Sequence, residues 1–189
     1  MKILLAGILG GIVMFIWTSV AHMALPLGHI GFSGIPDEAP VLASMQKAIG
    51  GQTGLYFFPW VDPRQSNAMA EETAKLKTNP SGLLIYRPPG GGGMTGAMLI
   101  TEFLKEVVVS LIAAFLLART ILVAYPARAG FVALVGLAAT LTTNMSYWNW
   151  YGFPTDYTLA AMITEFVGYL VAGLAKAAIL PRSRTFGAA

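Results

Sequence analysis

Two glutamates of this chain, Glu102 and Glu165, occur in the same four-residue context, Ile-Thr-Glu-Phe, and each leads into a long apolar run. One helical turn after the first lies Glu106, and Tyr169 holds the same place after the second. Lys105, three residues from Glu102, is the counter-ion for that glutamate or for one on a neighbouring helix. Three carboxylates around one ammonium form a group that is either protonated or short of a cation.

The composition places these residues in a membrane protein. Of the 189 residues, 56% are hydrophobic and 11% are charged, outside the range of soluble domains. The 12 basic and 9 acidic residues are dispersed along the chain, which argues against nucleic-acid binding. Because the chain has no cysteine, it can form no disulfide, thiolate metal site or iron–sulfur cluster.

Four apolar segments are long enough to cross a bilayer as helices, at residues 3–25, 96–118, 125–147 and 158–180. The first has small residues near Ser19 that a signal peptidase reads, but its length favours a retained anchor. We therefore predict an all-α membrane protein, a four-transmembrane-helix bundle. A small α+β extracytoplasmic cap is expected between its first two helices.

The cap is predicted over residues 26–95, between a first helix in residues 1–25 and the remaining helices and tail in residues 96–189. Asp37 is expected to cap a helix over residues 39–49. The stretch "GLYFFPW" predicts a strand, a second helix is expected from Ser66 to Lys77, and "LLIYR" predicts a partner strand. The glycine run that follows lacks the Lys-Ser/Thr ending of a phosphate loop and is interpreted as a linker.

Charge asymmetry predicts the orientation of the bundle. The basic residues at one side of the four-span arrangement are Lys2, Arg119, Arg128, Lys176, Arg182 and Arg184. The acidic residues outside the spans fall on the other side, so both termini are expected in the cytoplasm and the cap outside it.

A charged side chain at the centre of a bilayer costs about 2.5–3.5 kcal/mol unless it is paired or hydrated. We therefore expect Glu102 and Glu165 to face the bundle interior, one to two turns inside the outer interface. The predicted intramembrane polar cluster comprises Glu102, Lys105, Glu106, Asn144, Glu165 and Tyr169. The inner halves of the spans contain almost nothing ionisable, which argues against a pump or an open channel.

The second and fourth spans align without a gap, and residues 97–119 match residues 160–182 at ten positions. We infer two helical hairpins of like topology, formed by the first and second spans and by the third and fourth. Gly7 and Gly11 form a small-xxx-small pair that allows close packing of the first span, most simply within the chain.

Aromatic residues at the outer end of the third span predict a membrane-interface rim, made of Tyr147, Trp148, Asn149, Trp150 and Tyr151. The alternative for this rim is a stacking surface for a quinone, pigment or lipid head group. His22 and His29 are the weak candidates for a metal site together with the glutamates. No particular cofactor follows from these residues.

The strings "GLYFFPW" and "SYWNWYGFP", with the long outer loop between the first two spans, resemble a group of uncharacterised bacterial four-span inner-membrane proteins. The resemblance covers the whole chain in layout. It implies a multi-pass protein of the bacterial inner membrane and carries over no catalytic residue.

Three functional hypotheses follow. The first is a non-catalytic accessory or assembly subunit of a larger membrane complex, respiratory or photosynthetic, because no catalytic constellation is visible. The second is a small carrier or an ion- or proton-linked binding protein that uses the glutamate cluster. The third is a metal- or quinone-dependent enzyme centred on His22 and the glutamates.

Overall fold

The computed structural model describes residues 1–181 of the chain. It is mostly helical, with one two-stranded antiparallel sheet between the first and fourth helices. The elements are α1 (Lys2–Met23), α2 (Glu38–Ile49), β1 (Gly54–Phe58), α3 (Ala68–Leu76), β2 (Gly82–Tyr86), α4 (Gly96–Ala118), α5 (Tyr125–Thr140), α6 (Ser146–Tyr151) and α7 (Thr155–Ile179). Two compact units result: a helical unit of residues 1–32 and 94 onward, and a cap unit of residues 33–93.

Within residues 1–181, three helical stretches are long and apolar enough to cross a membrane, Lys2–Met23, Tyr125–Tyr151 and Thr155–Ile179. The chain is therefore a multi-pass membrane protein by the length and composition of its helices. The fourth predicted segment forms α4, which has 23 residues but also carries three charged side chains near its middle. These charged side chains distinguish α4 from the three helical stretches that are apolar enough to cross a membrane.

The third long helix is continuous but changes its winding. A π-helical segment, Leu141–Met145, joins α5 to α6, so the helix reaches Tyr151 and takes in the aromatic residues that the sequence placed at its end. Gly152, with a φ of 69°, ends it in the left-handed conformation. Since Pro154 directly precedes α7, the last helix begins at Thr155, three residues before the predicted start.

Helices α1 and α4 pack antiparallel through the glycines of α1. Gly7 contacts Leu111 and Gly11 contacts Val107, and further along the pair the rings of Phe15 and Phe103 meet edge to face at 5.4 Å. The predicted use of the glycine pair within the chain is confirmed.

Helices α5 and α7 form the second hairpin. The ring of Tyr169 lies against Gly136, and Gly173 faces the backbone of Ala129. The two hairpins meet mainly through α1 and α7, where the Trp17 indole donates a 2.8 Å hydrogen bond to the carbonyl of Thr164. By contrast, α4 has little contact with α5 and α7.

We call the end of the bundle where α1 begins the inner end, and the opposite end the outer end. The buried apolar core lies towards the inner end, with side chains from α1, α4 and α5 and from the residue that directly follows α7: Ala6, Ala113, Ala114, Leu117, Val132 and Leu180. At the outer end, residues 96–101 of α4 are all exposed. The helical unit is thus closed at its inner half and more open at its outer half.

The cap unit has the predicted two helices and antiparallel strand pair, with Tyr56 opposite Leu84. The Tyr86 hydroxyl, buried beneath the sheet, donates a 2.9 Å hydrogen bond to the carbonyl of Gly50 at the end of α2. One expectation is wrong: Asp37 precedes α2 in a left-handed conformation, with a φ of 51°, and its side chain makes no capping hydrogen bond.

The edges of the cap unit also differ from the prediction. Helix α3 begins at Ala68, two residues after Ser66. Residues 26–32, which the sequence placed in the cap, belong to the helical unit. There the ring of Phe32 packs edge-on against Tyr157 at 5.3 Å. The predicted tail residues Arg182 and Arg184 lie outside the described residues.

Candidate functional site

The charged residues of α4 form one connected group. The Lys105 ammonium bonds Glu102 at 2.7 Å and Glu106 at 3.1 Å. The Lys105–Glu102 pair is the one that their spacing predicted. Glu106 is 5% exposed, whereas the side chains of Glu102 and Lys105 remain 42% and 53% exposed. Lys105 therefore joins an exposed carboxylate to a buried one.

Two neighbouring helices complete the surroundings of Glu106. From α1, the Thr18 hydroxyl donates to the Glu106 carboxylate at 3.5 Å. From α7, Tyr169 lies within electrostatic range of Glu106, Glu165 and Lys105. Tyr169 thus connects the glutamate of the second hairpin with the charged group of the first.

The π-helical segment supplies the partner of Glu165. Asn144, which is buried, donates a 3.1 Å hydrogen bond to the Glu165 carboxylate. The same amide also lies 3.0 Å from the carbonyl and the hydroxyl of Thr140. Single π-helical turns inside α-helices occur frequently at functional sites. Here the turn brings Asn144 against α7.

The predicted residues form two bonded groups, Glu102–Lys105–Glu106 and Asn144–Glu165, and Tyr169 interacts electrostatically with both. We call these six residues the outer cluster: Glu102, Lys105, Glu106, Asn144, Glu165 and Tyr169. The two repeated glutamates, which we expected to face the bundle interior, are not the buried carboxylates. Glu165 is exposed and Glu102 partly so, and the buried carboxylate is Glu106. For Glu102 the reason is that the outer turns of α4, residues 96–101, are all exposed, so no neighbouring helix covers that side chain. Glu165 lies on the exposed face of α7, next to the buried Thr164.

The most deeply buried charged residue among residues 1–181 was not predicted as a site residue. The charge pattern places Lys176 among the basic residues of the cytoplasmic side, near the end of the last span. Its side chain is nevertheless 0% exposed. Its Nζ atom and the Ser110 hydroxyl find no hydrogen-bond partner in the described chain. The helical spacing carries a sign of this burial. Lys176 lies seven residues after Tyr169 and three after Gly173, and those two residues pack against α5, so Lys176 belongs to the covered part of α7.

Arg128, which the charge pattern also places among the basic residues of the cytoplasmic side, is buried at the inner end. Its guanidinium donates to the carbonyls of Ala177, Leu180 and Pro181 at 3.2, 3.1 and 3.4 Å. These carbonyls belong to the end of α7, where the helix leaves acceptors unpaired and a cation is favourable. Arg128 therefore fixes the last turn of α7 against α5.

The aromatic rim lies apart from the outer cluster. Its predicted residues, Tyr147 to Tyr151, are all exposed at the end of the third long helix. The Trp148 indole donates a 3.1 Å hydrogen bond to the Thr155 hydroxyl. A row of ring contacts at 5.3–5.4 Å continues from Tyr147 through Phe153 and Tyr157 to Phe32. This row fixes the turn between α6 and α7.

The histidine candidates are not joined to the carboxylates. Among residues 1–181, no three His, Asp or Glu side chains lie close enough to hold a metal ion. The His22 ring instead makes a 2.8 Å hydrogen bond with the carbonyl of Thr18, and His29 is exposed. The described residues therefore provide no ligand set for the metal-dependent hypothesis.

Comparisons with known proteins give no match: no family model, curated protein or solved structure is similar to this chain.

Proposed function

We propose that the chain is a four-span protein of the bacterial inner membrane, with both termini in the cytoplasm. Helix α4 is the fourth span, since its 23 residues extend about 34 Å at 1.5 Å per residue and it packs antiparallel along α1. Lys2 and Arg119 then lie at the cytoplasmic end and Asp156 at the opposite end, in keeping with the distribution of basic residues in membrane proteins.

We propose further that it is a proton- or cation-linked binding protein or small carrier, with the outer cluster as its site. The observation that carries this proposal is the burial of Glu106 inside the bundle beneath partly exposed Glu102 and Lys105. Ionisable groups within spanning helices are costly and are most often retained for ion or proton pathways. The exposed members give access from the outer half, and the packed core closes the inner half in the conformation described, so a carrier has to open that half to release a proton inside.

The charge balance indicates the kind of ligand. The outer cluster contains three carboxylates, Glu102, Glu106 and Glu165, and one ammonium, Lys105. Lys176, which interacts electrostatically with Glu106, adds a second positive charge only when its amine is protonated, so the group is short of at least one positive charge. A proton or a monovalent cation supplies that charge without leaving an unpaired carboxylate in the membrane.

Proton movement into liposomes tests this proposal. Purified protein is reconstituted in vesicles that enclose a pH-sensitive dye, and the outside is acidified under an imposed potassium potential. We expect faster internal acidification than in protein-free vesicles, and a loss of at least tenfold in the Glu106→Gln variant. Glu38→Gln, which removes a carboxylate of the cap helix α2, is the matched control and should behave as the unmodified protein. Equal rates for Glu106→Gln and the unmodified protein would contradict the proposal.

The accessory-subunit hypothesis is the second candidate, and one observation favours it. The Lys105–Glu102 pair leaves about half of its side-chain surface uncovered, and α4 has little contact with α5 and α7. In a bilayer such a pair must be covered by water, head groups or another protein. Purification from the native host in mild detergent discriminates between the two candidates, because a stoichiometric partner lost in a Lys105→Leu variant supports the subunit and a lone species supports the carrier.

A further inference from the structure

Three helices meet at the Lys176 side chain: α7, which carries it, α1 and α4. Its Nζ atom and the Ser110 hydroxyl oxygen each lie 2.5 Å from the position that a Cβ atom on Gly10 would take. The two polar atoms are therefore within about 5 Å of each other, over the bare backbone of α1. Gly10 provides the space into which the amine of α7 and the hydroxyl of α4 both point.

A buried ammonium without an acceptor is unfavourable, so such an amine either releases its proton or shares it with a nearby anion. The carboxylate that interacts electrostatically with Lys176 is Glu106. Glu106 lies one helical turn from Ser110 on the same face of α4, and both side chains are buried. Ser110 thus lies one helical turn from Glu106 and has its hydroxyl within about 5 Å of the amine, without a hydrogen bond to either group.

Several charged and titratable groups face this pair. Gly10 faces Lys176 and Thr18 faces Glu106 from α1. Lys105 bonds Glu106 within α4, and Tyr169 of α7 interacts electrostatically with Glu106. Arg128 is held by the carbonyls at the end of α7, and Glu165 is bonded to Asn144. Lys105 is the direct competitor of Lys176 for Glu106, because it already bonds that carboxylate at 3.1 Å.

We propose that Glu106 and Lys176 form an internal proton-exchange pair, with Ser110 between them. A proton that reaches Glu106 from the outer cluster leaves the carboxyl oxygen as its O–H bond breaks, and an N–H bond forms on the Lys176 amine. The neutral acid and amine thereby become a carboxylate and an ammonium. This inference rests on the proposed function in naming the proton as the ion and Lys176 as its innermost acceptor.

Infrared titration of the full-length protein in detergent tests the pair without any transport assay. The protonated carboxyl band of Glu106 is assigned by its loss in Glu106→Gln, and its pH midpoint is measured. Because a nearby cation stabilises the carboxylate, we expect Lys176→Met to raise that midpoint by about one pH unit or more. Lys176→Arg should restore it, and Lys47→Met, in the cap helix α2, should leave it unchanged.

If Lys176→Met fails to fold, Gly10→Ala replaces it, because the added methyl group displaces the amine and should shift the midpoint in the same direction. An unchanged midpoint in the folded Lys176→Met or Gly10→Ala variant would overturn the pair. The proposed function can be refuted independently of the pair. If the midpoint shifts but the reconstituted vesicles take up no protons, the Glu106–Lys176 pair is supported and the carrier is refuted.

Discussion

Gly11 of α1 lies so close to Val107 of α4 that a Cβ atom on Gly11 would stand 2.6 Å from the Cα atom of Val107. The neighbouring residue on α4 is Glu106, and one and two helical turns further along α1 Phe15 and Thr18 meet the outer half of α4. This close approach of two backbones therefore sets the position of the buried carboxylate. Small residues serve the same purpose in membrane helices generally.

Gly11→Ala should destabilise the helical unit by about 1–3 kcal/mol, because the clash is with backbone atoms that cannot turn aside. The measurement is the apparent melting temperature in detergent. Gly130→Ala is the matched control, since Gly130 lies in helix α5 with open space around its Cβ position. There we expect no loss, or a gain of up to about 1 kcal/mol from helix propensity. Equal melting temperatures for Gly11→Ala and Gly130→Ala would refute the close packing of α1 and α4.

Asn144→Ala removes the hydrogen bond from the π-helical segment to Glu165. Hydrogen bonds between membrane helices contribute about 0.6–1.7 kcal/mol, and we expect a loss of stability in that range. Asn149→Ala, at an exposed position five residues later, should change stability by less than about 0.5 kcal/mol. Thermal unfolding of the two variants in the same detergent makes the comparison. A loss for Asn149→Ala as large as that for Asn144→Ala would argue against a specific contact.

In the cap unit, the Arg64 guanidinium beside Asp62 holds the pKa of that carboxyl below its usual range, through hydrogen bonds of 2.8 and 2.9 Å. A lowered pKa in the folded state stabilises the turn at pH values above the ordinary pKa of Asp, and this effect is lost as the pH falls through the lowered value. Arg64→Ala should raise the pKa of Asp62 towards its ordinary value. NMR titration of the carboxyl measures it, and an identical titration curve in Arg64→Ala would contradict the contact.

The long apolar helices could be predicted because hydrophobic length alone identifies them. Burial within the bundle could not, since it depends on which part of each helix its neighbours cover. Glu102 and Glu106 lie on nearly the same face of α4, yet only Glu106 is buried, because the outer turns of α4 extend beyond close packing. For Lys176 the error is the opposite one. Its position near a helix end predicted an exposed side chain, but Gly10 of α1 leaves the space in which that side chain is buried.

Local structure was predicted less well where backbone geometry decided it. The Asp37 side chain matches a helix-capping pattern, but its left-handed backbone, with a φ of 51°, leaves its carboxylate without a capping hydrogen bond. The π-helical segment has no sequence signal that separates it from the surrounding α-helix. Its effect, the placement of Asn144 against Glu165, is visible only once α5 and α7 are packed.

We propose that the outer cluster is accessible from the outer side of the membrane while the inner half of the bundle is closed. Since the chain contains no cysteine, single-cysteine variants can be labelled without background. We expect a membrane-impermeant thiol reagent, added to the outer side of right-side-out vesicles, to label Glu165→Cys and to leave Val132→Cys unlabelled until the protein is denatured. Labelling of Val132→Cys in the folded protein, or protection of Glu165→Cys from the outer side, would contradict the claim.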